Sequence, residues 1–216
     1  MQVLDWGCGR GQVAALLAER GLDVTPLDYR EEIANDGFYR LELFPQLAAY
    51  LTSDPIKLPF ATASFDAVLS CGVLEHVIDP DASLEEIRRV LRPDGAFYVY
   101  KLPNRYSYVE RLSKLVGTYY HGKERNDRVY SKTSALELFH RHGFIVREIR
   151  RANIIPLNIT GHVLRNHGVR TVWRVNRVLS ALPFVNLFAT NLELIATVPF
   201  HRDSSRSESV RPSRLK

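Results

Sequence analysis

The sequence predicts an α/β protein with a doubly wound, Rossmann-like sheet, and two observations lead to that prediction. A short apolar stretch at residues 3–6 enters a loop with glycine at every second position, and an apolar-periodic helix follows at residues 13–22. Further along, an uninterrupted apolar run at residues 67–69 has the pattern of a buried parallel strand. Strands that alternate with helices in this way imply a parallel sheet with helices on both faces.

The glycine loop has the spacing D-x-G-x-G-x-G, which is typical of a site for an anionic or nucleotide ligand. Glycine adopts positive φ without strain and lets a ligand approach the backbone, and the N-terminus of the following helix offers unpaired N–H groups. A dinucleotide fingerprint requires glycine where Gln12 stands, and a phosphate-binding P-loop requires a Lys-Ser/Thr pair that is absent here. Taken alone, the loop is also compatible with a plain strand-to-helix turn that binds no ligand.

The remaining elements follow from apolar periodicity, capping residues and breakers. Asp28 ends a predicted strand about 20 residues after the glycine loop, where a carboxylate can accept hydrogen bonds from ribose hydroxyls. Asp54 ends the next strand. Asp79-Pro80 begins a helix that continues to Leu91, and Pro93-Asp94-Gly95 ends it. Further predicted elements are strands at residues 22–28, 50–54, 96–102, 144–149 and 192–198 and a helix at residues 133–142.

The composition is that of an ordinary globular protein, with 45% hydrophobic and 25% charged residues among 216. No run of about 18 apolar residues indicates a spanning helix, and no signal peptide precedes the first strand. The two cysteines, Cys8 and Cys71, cannot form a disulfide framework, so we expect a reducing, cytoplasmic compartment.

Charge is divided unevenly between the two halves of the chain. Residues 1–100 carry a net charge of −8, and residues 101–216 carry a net charge of +13. A basic half is typical of proteins that meet nucleic acid, an anionic membrane or an acidic substrate. A solvated basic surface without a partner is the alternative.

Five motifs in sequence resemble those of class I S-adenosylmethionine (SAM) dependent methyltransferases of the type 11 group, which includes quinone-biosynthesis methyltransferases. They are VLDWGCGRG, the acid in PLDYR, SDPIKLPF, SFDAVLSCGVLEHV and RRVLRPDG, and they cover residues 2–100. The resemblance implies a seven-stranded sheet that is mostly parallel with an antiparallel last strand. It also implies SAM as the cofactor.

The resemblance assigns cofactor roles to the glycine loop and to the strand ends. The loop would frame the methionine end of SAM, Asp28 would bind the ribose hydroxyls, and Asp54 would accept from the adenine amino group. The backbone at Cys71 would meet the methionine ammonium. The full set of implied cofactor residues is Asp5, Gly7, Cys8, Gly9, Gly11, Asp28, Tyr29, Asp54, Pro55 and Cys71, with Ile56 beside them.

Two histidines are candidate bases for the acceptor side. His76 follows the fourth strand, although Leu-Glu-His in this family is often a packing element, and His121 lies in a polar insert where an exposed loop histidine is the alternative. We expect no metal, because Glu75 and His76 alone are too few ligands. The position where some lipid-quinone methyltransferases carry a further glutamate is Gly72.

The predicted function is methyl transfer from SAM to a small-molecule or lipid-linked acceptor, at oxygen. A non-catalytic methyltransferase-like binding module is the first alternative and an RNA methyltransferase the second. Enzymes that methylate base nitrogens carry Asn/Asp-Pro-Pro-Tyr after the fourth strand, whereas this chain has Cys71-Gly72-Val73-Leu74. Nucleic acid is therefore disfavoured as a partner.

The predicted organisation is one domain over residues 1–200, with a disordered tail at 201–216. Residues 1–102 form its cofactor half and residues 103–132 an acceptor-side insert. Residues 160–190 form a basic amphipathic segment, interpreted either as a lid or as an anionic-membrane contact at the inner membrane face. Related enzymes have a helix before the first strand that covers SAM, so we expect either a truncated sequence or closure by the insert.

Overall fold

The computed structural model describes residues 1–29, 49–117, 126–155 and 166–199. Within these ranges the chain forms seven strands and five α-helices. The strands are β1 (Gln2–Trp6), β2 (Asp23–Tyr29), β3 (Tyr50–Thr52), β4 (Phe65–Cys71), β5 (Leu91–Pro103), β6 (Ile145–Ala152) and β7 (Asn191–Thr197). The helices are α1 (Gln12–Ala18), α2 (Pro80–Val90), α3 (Tyr108–Leu115), α4 (Lys132–Arg141) and α5 (Asn166–Ala181).

All seven strands join one sheet in the order β3-β2-β1-β4-β5-β7-β6. Strands β1 to β5 pair in parallel, and β7 lies antiparallel between β5 and β6. This confirms the predicted seven-stranded, mostly parallel sheet with an antiparallel last strand. Strand order reverses at β1 and β4, and in open α/β sheets ligands bind where the carboxyl ends of the strands meet such a reversal. We call that side of the sheet the carboxyl edge.

Helix α2 shows how local sequence sets an element. The Asp79 side chain accepts hydrogen bonds from the N–H groups of Asp81 and Ala82 at 3.0 and 3.1 Å, and Pro80 occupies the first turn. Two arginines in the last turn complement the helix dipole. The helix predicted to start at Asp79-Pro80 is confirmed and ends at Val90.

Two predicted boundaries were wrong. Helix α1 ends at Ala18, before the predicted Leu22, because Gly21 adopts φ +79° and the Leu22 N–H turns back to the Leu17 carbonyl at 3.2 Å. Strand β5 begins at Leu91, where it pairs with Phe65, and a register shift follows before regular pairing resumes at Ala96. The Pro-Asp-Gly signal therefore marks an irregularity within the strand.

The core lies between the central strands and the helices packed on them. Phe97 on β5 is fully buried, and its ring lies 5.7 Å from Phe139 on α4 and 6.1 Å from Phe144. This aromatic cluster fixes α4 against the sheet because each ring buries a large apolar area.

Helix α5 connects β6 to β7 within the predicted basic segment. Its Val172 and Asn176 side chains are buried, and the Asn176 amide exchanges two hydrogen bonds with the backbone of Ile155, at 2.7 and 2.9 Å. The helices in the described ranges are all too short or too polar to span a bilayer. The predicted tail at 201–216 lies outside the described residues, as do parts of the insert and of the basic segment.

Candidate functional site

The glycine loop crosses the carboxyl edge between β1 and α1. Gly7, Gly9 and Gly11 have φ values of 72°, 51° and 74°, all in the left-handed region. The N–H groups of Gly7 and Cys8 both donate to the Leu27 carbonyl, at 2.9 and 3.0 Å, which ties the loop to β2. Gly11 caps α1, and its own N–H donates to the Cys8 carbonyl at 2.9 Å. The loop is therefore held by backbone hydrogen bonds before any ligand arrives.

Gly7 and Gly9 differ in what surrounds them, and this gives a matched test of the loop. A Cβ on Gly7 would lie 2.3 Å from Val73 Cγ2, whereas a Cβ on Gly9 would meet nothing within 4 Å. Both substitutions incur the left-handed strain of about 1–2 kcal/mol, and Gly7→Ala adds an overpacking cost of about 1–3 kcal/mol. We expect denaturant unfolding to show Gly7→Ala as the less stable variant. Equal loss in both would contradict this description of the loop.

Asp28 joins the end of β2 to the glycine loop. Its Oδ2 accepts the Gly9 N–H at 2.7 Å, and its Oδ1 accepts the N–H of Tyr29 at 2.8 Å. Burial raises the pKa of this carboxyl above its usual value, and the two backbone donors partly oppose that shift. The carboxylate thus stands at the mouth of the loop, where ligand hydroxyls could share its remaining lone pairs.

Asp54 follows β3 and organises the next loop. Its Oδ1 accepts the N–H groups of Ile56 and Lys57 at 3.0 and 2.9 Å. These donors lower the pKa of the Asp54 carboxyl, the Lys57 N–H most strongly. Oδ1 accepts both of these bonds, and the lowered pKa means that the Asp54 carboxylate is ionised at neutral pH.

These loops surround a cleft of about 550 Å³ at the carboxyl edge. Its apolar wall includes Trp6, Leu27 and Leu58, and its floor includes the open side of Gly9. Such a volume is typical of a site for one small-molecule ligand. The polar side chains that line it are Asp28, Tyr29, Thr52, Asp54, His76 and Asn126.

The His76 side chain, which also lines the cleft, forms a pair with the carboxylate of Asp127. His76 Nδ1 lies 2.8 Å from Asp127 Oδ1, and the ring lines the cleft with 41% of its side chain exposed. Because an ionised carboxylate only accepts hydrogen bonds, Nδ1 carries the proton in the neutral ring and Nε2 is the basic nitrogen. The Glu75 carboxylate lies 3.9 Å from that Nε2.

Asp127 is held in place by its neighbour in sequence. The Arg128 N–H donates to the Glu75 carbonyl at 3.0 Å, and its guanidinium donates to the carbonyls of Val77 and Ile78. Residues 126–128 are thereby fixed to the loop after β4, about 50 residues earlier in the chain. Sequence reasoning missed Asp127 and Asn126, since no local motif marks a contact across that separation.

Comparison with known proteins finds a family match over the part of the chain that contributes most of the cleft. Residues 4–99 match a family model described as a methyltransferase domain. After that description we refer to residues 4–99 as the methyltransferase domain, and the sheet that they help to build has the class I methyltransferase fold. This match runs from within β1 to within β5, and the carboxyl ends of β1 to β4 with the loops after them build most of the cleft.

Relatives and solved structures extend the comparison of the methyltransferase domain. A demethylmenaquinone methyltransferase from Beutenbergia cavernae is 39% identical over 98 residues, 45% of this chain and 39% of that protein. A ubiquinone biosynthesis O-methyltransferase from Azoarcus sp. is 33% identical over 100 residues, 45% of this chain and 42% of that protein. The chain spans 27% to 42% of the length of the first curated relatives it matches.

A solved structure shares the fold over most of the chain. Phosphoethanolamine N-methyltransferase 2 from Haemonchus contortus, in complex with S-adenosyl-L-methionine, superposes with a TM-score of 0.60 at 20% identity. The match covers 93% of this chain and 49% of that chain. The superposition therefore includes the sheet beyond the methyltransferase domain.

The methyltransferase domain places most of its predicted cofactor residues on the cleft. Those that line it are Gly7, Gly9, Asp28, Tyr29, Asp54, Pro55, Ile56 and Cys71. Asp5, Cys8 and Gly11 do not line the cleft, and all three are buried: Asp5, at the end of β1, is 2% exposed, and Cys8 and Gly11 are buried positions within the loop. Their predicted part in cofactor binding would therefore be to shape the loop.

Of the two histidines predicted for the acceptor side, the structure describes one. His76 lines the cleft, and His121 lies outside the described residues, so its role stays a prediction. Burial raises the pKa of the Cys71 thiol, which keeps it protonated. Over residues 1–29, 49–117, 126–155 and 166–199, no three His, Cys, Asp or Glu side chains cluster as a metal site would require.

Asp5 gives the methyltransferase domain a measurable pH dependence. Burial raises the pKa of Asp5 from 3.8 to about 6. The native state therefore binds this proton more tightly than the unfolded chain, and the stability it contributes is present below about pH 4 and lost as pH rises through about 6. Urea unfolding should show Asp5→Asn gaining about 2–3 kcal/mol relative to the native sequence between those pH values. Parallel stability curves for the two proteins would contradict this.

Proposed function

We propose that this chain binds SAM in the cleft and transfers its methyl group to a hydroxyl of a small-molecule or lipid-linked acceptor. The observation that supports this most is the convergence, at one cleft, of the Gly9 backbone, the two carboxylates Asp28 and Asp54, and the His76–Asp127 pair. The Gly9 backbone and the two carboxylates suit a nucleoside with a charged tail. The His76–Asp127 pair suits the removal of a proton.

The residues present fit SAM. Asp28 is already oriented by two backbone donors, so it can bind ribose hydroxyls without further ordering. The carboxylate of Asp54 suits an amino group of the adenine, beside Pro55 and Ile56. The open side of Gly9 leaves space at the loop for the methionine portion. When bound, SAM supplies an electrophilic methyl group on a positively charged sulfur.

The chain's own contribution to transfer is alignment and proton removal. A cleft built on fixed strand ends holds both reactants in one orientation, and such positioning supplies a large part of the rate. An acceptor hydroxyl must also lose its proton, and histidine is the side chain most often used for that task near neutral pH. His76 Nε2 would take that proton, and Asp127 would hold the ring and stabilise the imidazolium.

A base beside the cleft and the names of two relatives support the proposal that the methyl group goes to an oxygen of a small-molecule or lipid-linked acceptor. A base beside the cleft is needed for a hydroxyl acceptor and not for an already nucleophilic amine. One relative is by name a ubiquinone biosynthesis O-methyltransferase and another a demethylmenaquinone methyltransferase. We further propose a reducing, cytoplasmic setting, because two cysteines in 216 residues are too few for a disulfide framework.

A methyl-transfer assay tests the proposal. Full-length protein is incubated with methyl-labelled SAM and three acceptor pools: an organic-solvent lipid extract, a polar metabolite extract, and total RNA. We expect label in a lipid or small-molecule product, released by conditions that cleave methyl ethers. Label in RNA alone would overturn the acceptor class. Folded protein that binds SAM and labels nothing would indicate the non-catalytic module.

A further inference from the structure

Most of the large hydrophobic side chains exposed in the described ranges lie in two segments, residues 105–116 and 170–188. We call these two segments together the basic aromatic surface. The first segment contains α3, and the second contains α5 from residue 170 onward and a short 3-10 helix, Val185–Phe188. None of the described residues that line the cleft comes from either segment.

Helix α5 presents an arginine stripe to solvent. Val172 and Asn176 face inward, and Asn176 fixes the helix to Ile155 by two hydrogen bonds. On the opposite side, arginines at spacings of four and three residues share one exposed face. These are Arg170, Arg174 and Arg177.

Apolar side chains flank that stripe. Trp173 is 53% exposed, and the Arg177 guanidinium lies 5.7 Å from its ring centroid. Val178 and Leu182 are exposed further along the helix. Phe184 follows with 85% of its surface in water and with φ +66°, a strained conformation for a residue other than glycine. Nothing in the described fold covers these groups.

Helix α3 continues the same surface. Leu112, Leu115 and Val116 are exposed, and Leu115 has 84% of its surface in water. The two segments meet where the Arg111 guanidinium lies 6.0 Å from the Phe188 ring centroid. The surface is thus continuous across both segments.

Charge on this surface is of one sign. Residues 166–190 contain no Asp or Glu, and the single acid of residues 105–116, Glu110, is buried. Basic side chains with exposed aromatic and aliphatic groups beside them are typical of segments that lie in a membrane interface. An anionic lipid surface satisfies both components, because phosphates meet the guanidinium groups and the apolar groups leave water.

We infer that the basic aromatic surface docks on an anionic lipid bilayer. Helix α3 follows the end of β5, and the 3-10 helix precedes β7 where Asn191 pairs with Pro103. Both therefore stand at the carboxyl edge, the edge that also holds the cleft. Docking would bring the cleft beside the bilayer, where a lipid-linked molecule is concentrated.

Two other occupants fit this surface less well. A symmetric contact between two copies of the chain would bring the arginine stripe close to itself, and like charges in an interface are repulsive. A nucleic acid would neutralise the arginines but leave Leu112, Leu115 and Val116 in water. Of these three occupants, the bilayer is the one that accounts for both the charge and the apolar exposure.

Vesicle sedimentation with the full chain tests this inference, and it needs neither SAM nor an acceptor. The probes are phosphatidylcholine vesicles with and without about 30% phosphatidylglycerol. We expect binding to the anionic vesicles that weakens as salt is raised, because salt screens the phosphates. Replacing Arg170, Arg174 and Arg177 together by Gln should weaken binding by about 100-fold. Replacing Leu115 and Phe184 by Ser should weaken it by about tenfold, mainly in the salt-resistant part.

The matched control is an equal loss of charge elsewhere. Arg20, Arg88 and Arg147 are exposed and lie outside the basic aromatic surface, and their joint replacement by Gln should change binding by less than about threefold. Equal loss in the control, or equal binding to neutral vesicles, would overturn the inference. So would a dimer in sedimentation velocity that the Arg170, Arg174 and Arg177 variant dissociates, because the surface would then belong to a second copy.

Discussion

Replacing Asp28 by Ala is expected to weaken SAM binding by about 100-fold or more. The variant would lack the carboxylate that accepts charge-assisted hydrogen bonds from the ribose hydroxyls, and each such hydrogen bond contributes about 1.5–3 kcal/mol. The Gly9 N–H, now 2.7 Å from Oδ2, would also lose its partner, so the loop would be less ordered before binding. Isothermal titration calorimetry of the folded variant measures the change.

Asp23 provides the control for this prediction. It lies at the other end of the same strand, where its Oδ2 accepts from the Gln2 side chain at 2.6 Å. Asp23→Ala removes the same charge from β2 and should leave SAM affinity within about twofold. A loss of similar size in both variants would mean that net charge, and not the position of Asp28, sets the affinity. Unchanged binding in Asp28→Ala would refute the ribose assignment.

Replacing His76 by Ala is expected to lower kcat by about 10²–10⁴-fold, the usual contribution of a general base. The affinity for SAM should change by less than about tenfold, since the side chains proposed to bind the cofactor, Asp28 and Asp54, belong to β2 and to the loop after β3. Single-turnover methylation of the acceptor fraction identified by the transfer assay, together with calorimetry, separates the two effects. A variant with undiminished turnover would exclude His76 as the base.

A variant of Asp127 and a control variant of His142 complete the test of His76 as the base. Asp127→Asn would let the side chain donate to Nδ1, which favours the wrong tautomer, so kcat should fall and its pH profile should shift while SAM affinity holds. His142 is also paired with a carboxylate, Asp81 at 2.7 Å, but does not line the cleft. His142→Gln should leave kcat within about twofold at temperatures where it remains folded.

Much of the cofactor side could be predicted from the sequence, because its signals are local. The loop spacing at residues 5–11 fixes where three left-handed glycines stand. Asp28 is the penultimate residue of the parallel strand β2, and Asp54 lies two residues after the parallel strand β3. Because the carboxyl ends of parallel strands meet at one edge of a sheet, the sequence pattern predicts that Asp28 and Asp54 lie near the glycine loop. The role of Asp5 was less accessible, because the sequence does not reveal that this residue is buried.

The acceptor side and the basic aromatic surface depend on tertiary contacts that no local pattern encodes. His76 meets Asp127 only because Arg128 fixes residues 126–128 to the loop after β4. The periodicity of residues 170–178 predicts an amphipathic helix but not which face is covered. That face is decided by the two hydrogen bonds between Asn176 and Ile155, which turn the arginines outward.

Equilibrium binding of SAM to the full chain tests the central claim most directly. Calorimetry with folded protein should show saturable binding at one site in the micromolar range, about −8 kcal/mol. NAD, which lacks a matching fingerprint here, should not compete. Absence of SAM binding at concentrations of about 1 mM, with the protein demonstrably folded, would contradict the proposed cofactor and the methyl transfer that depends on it.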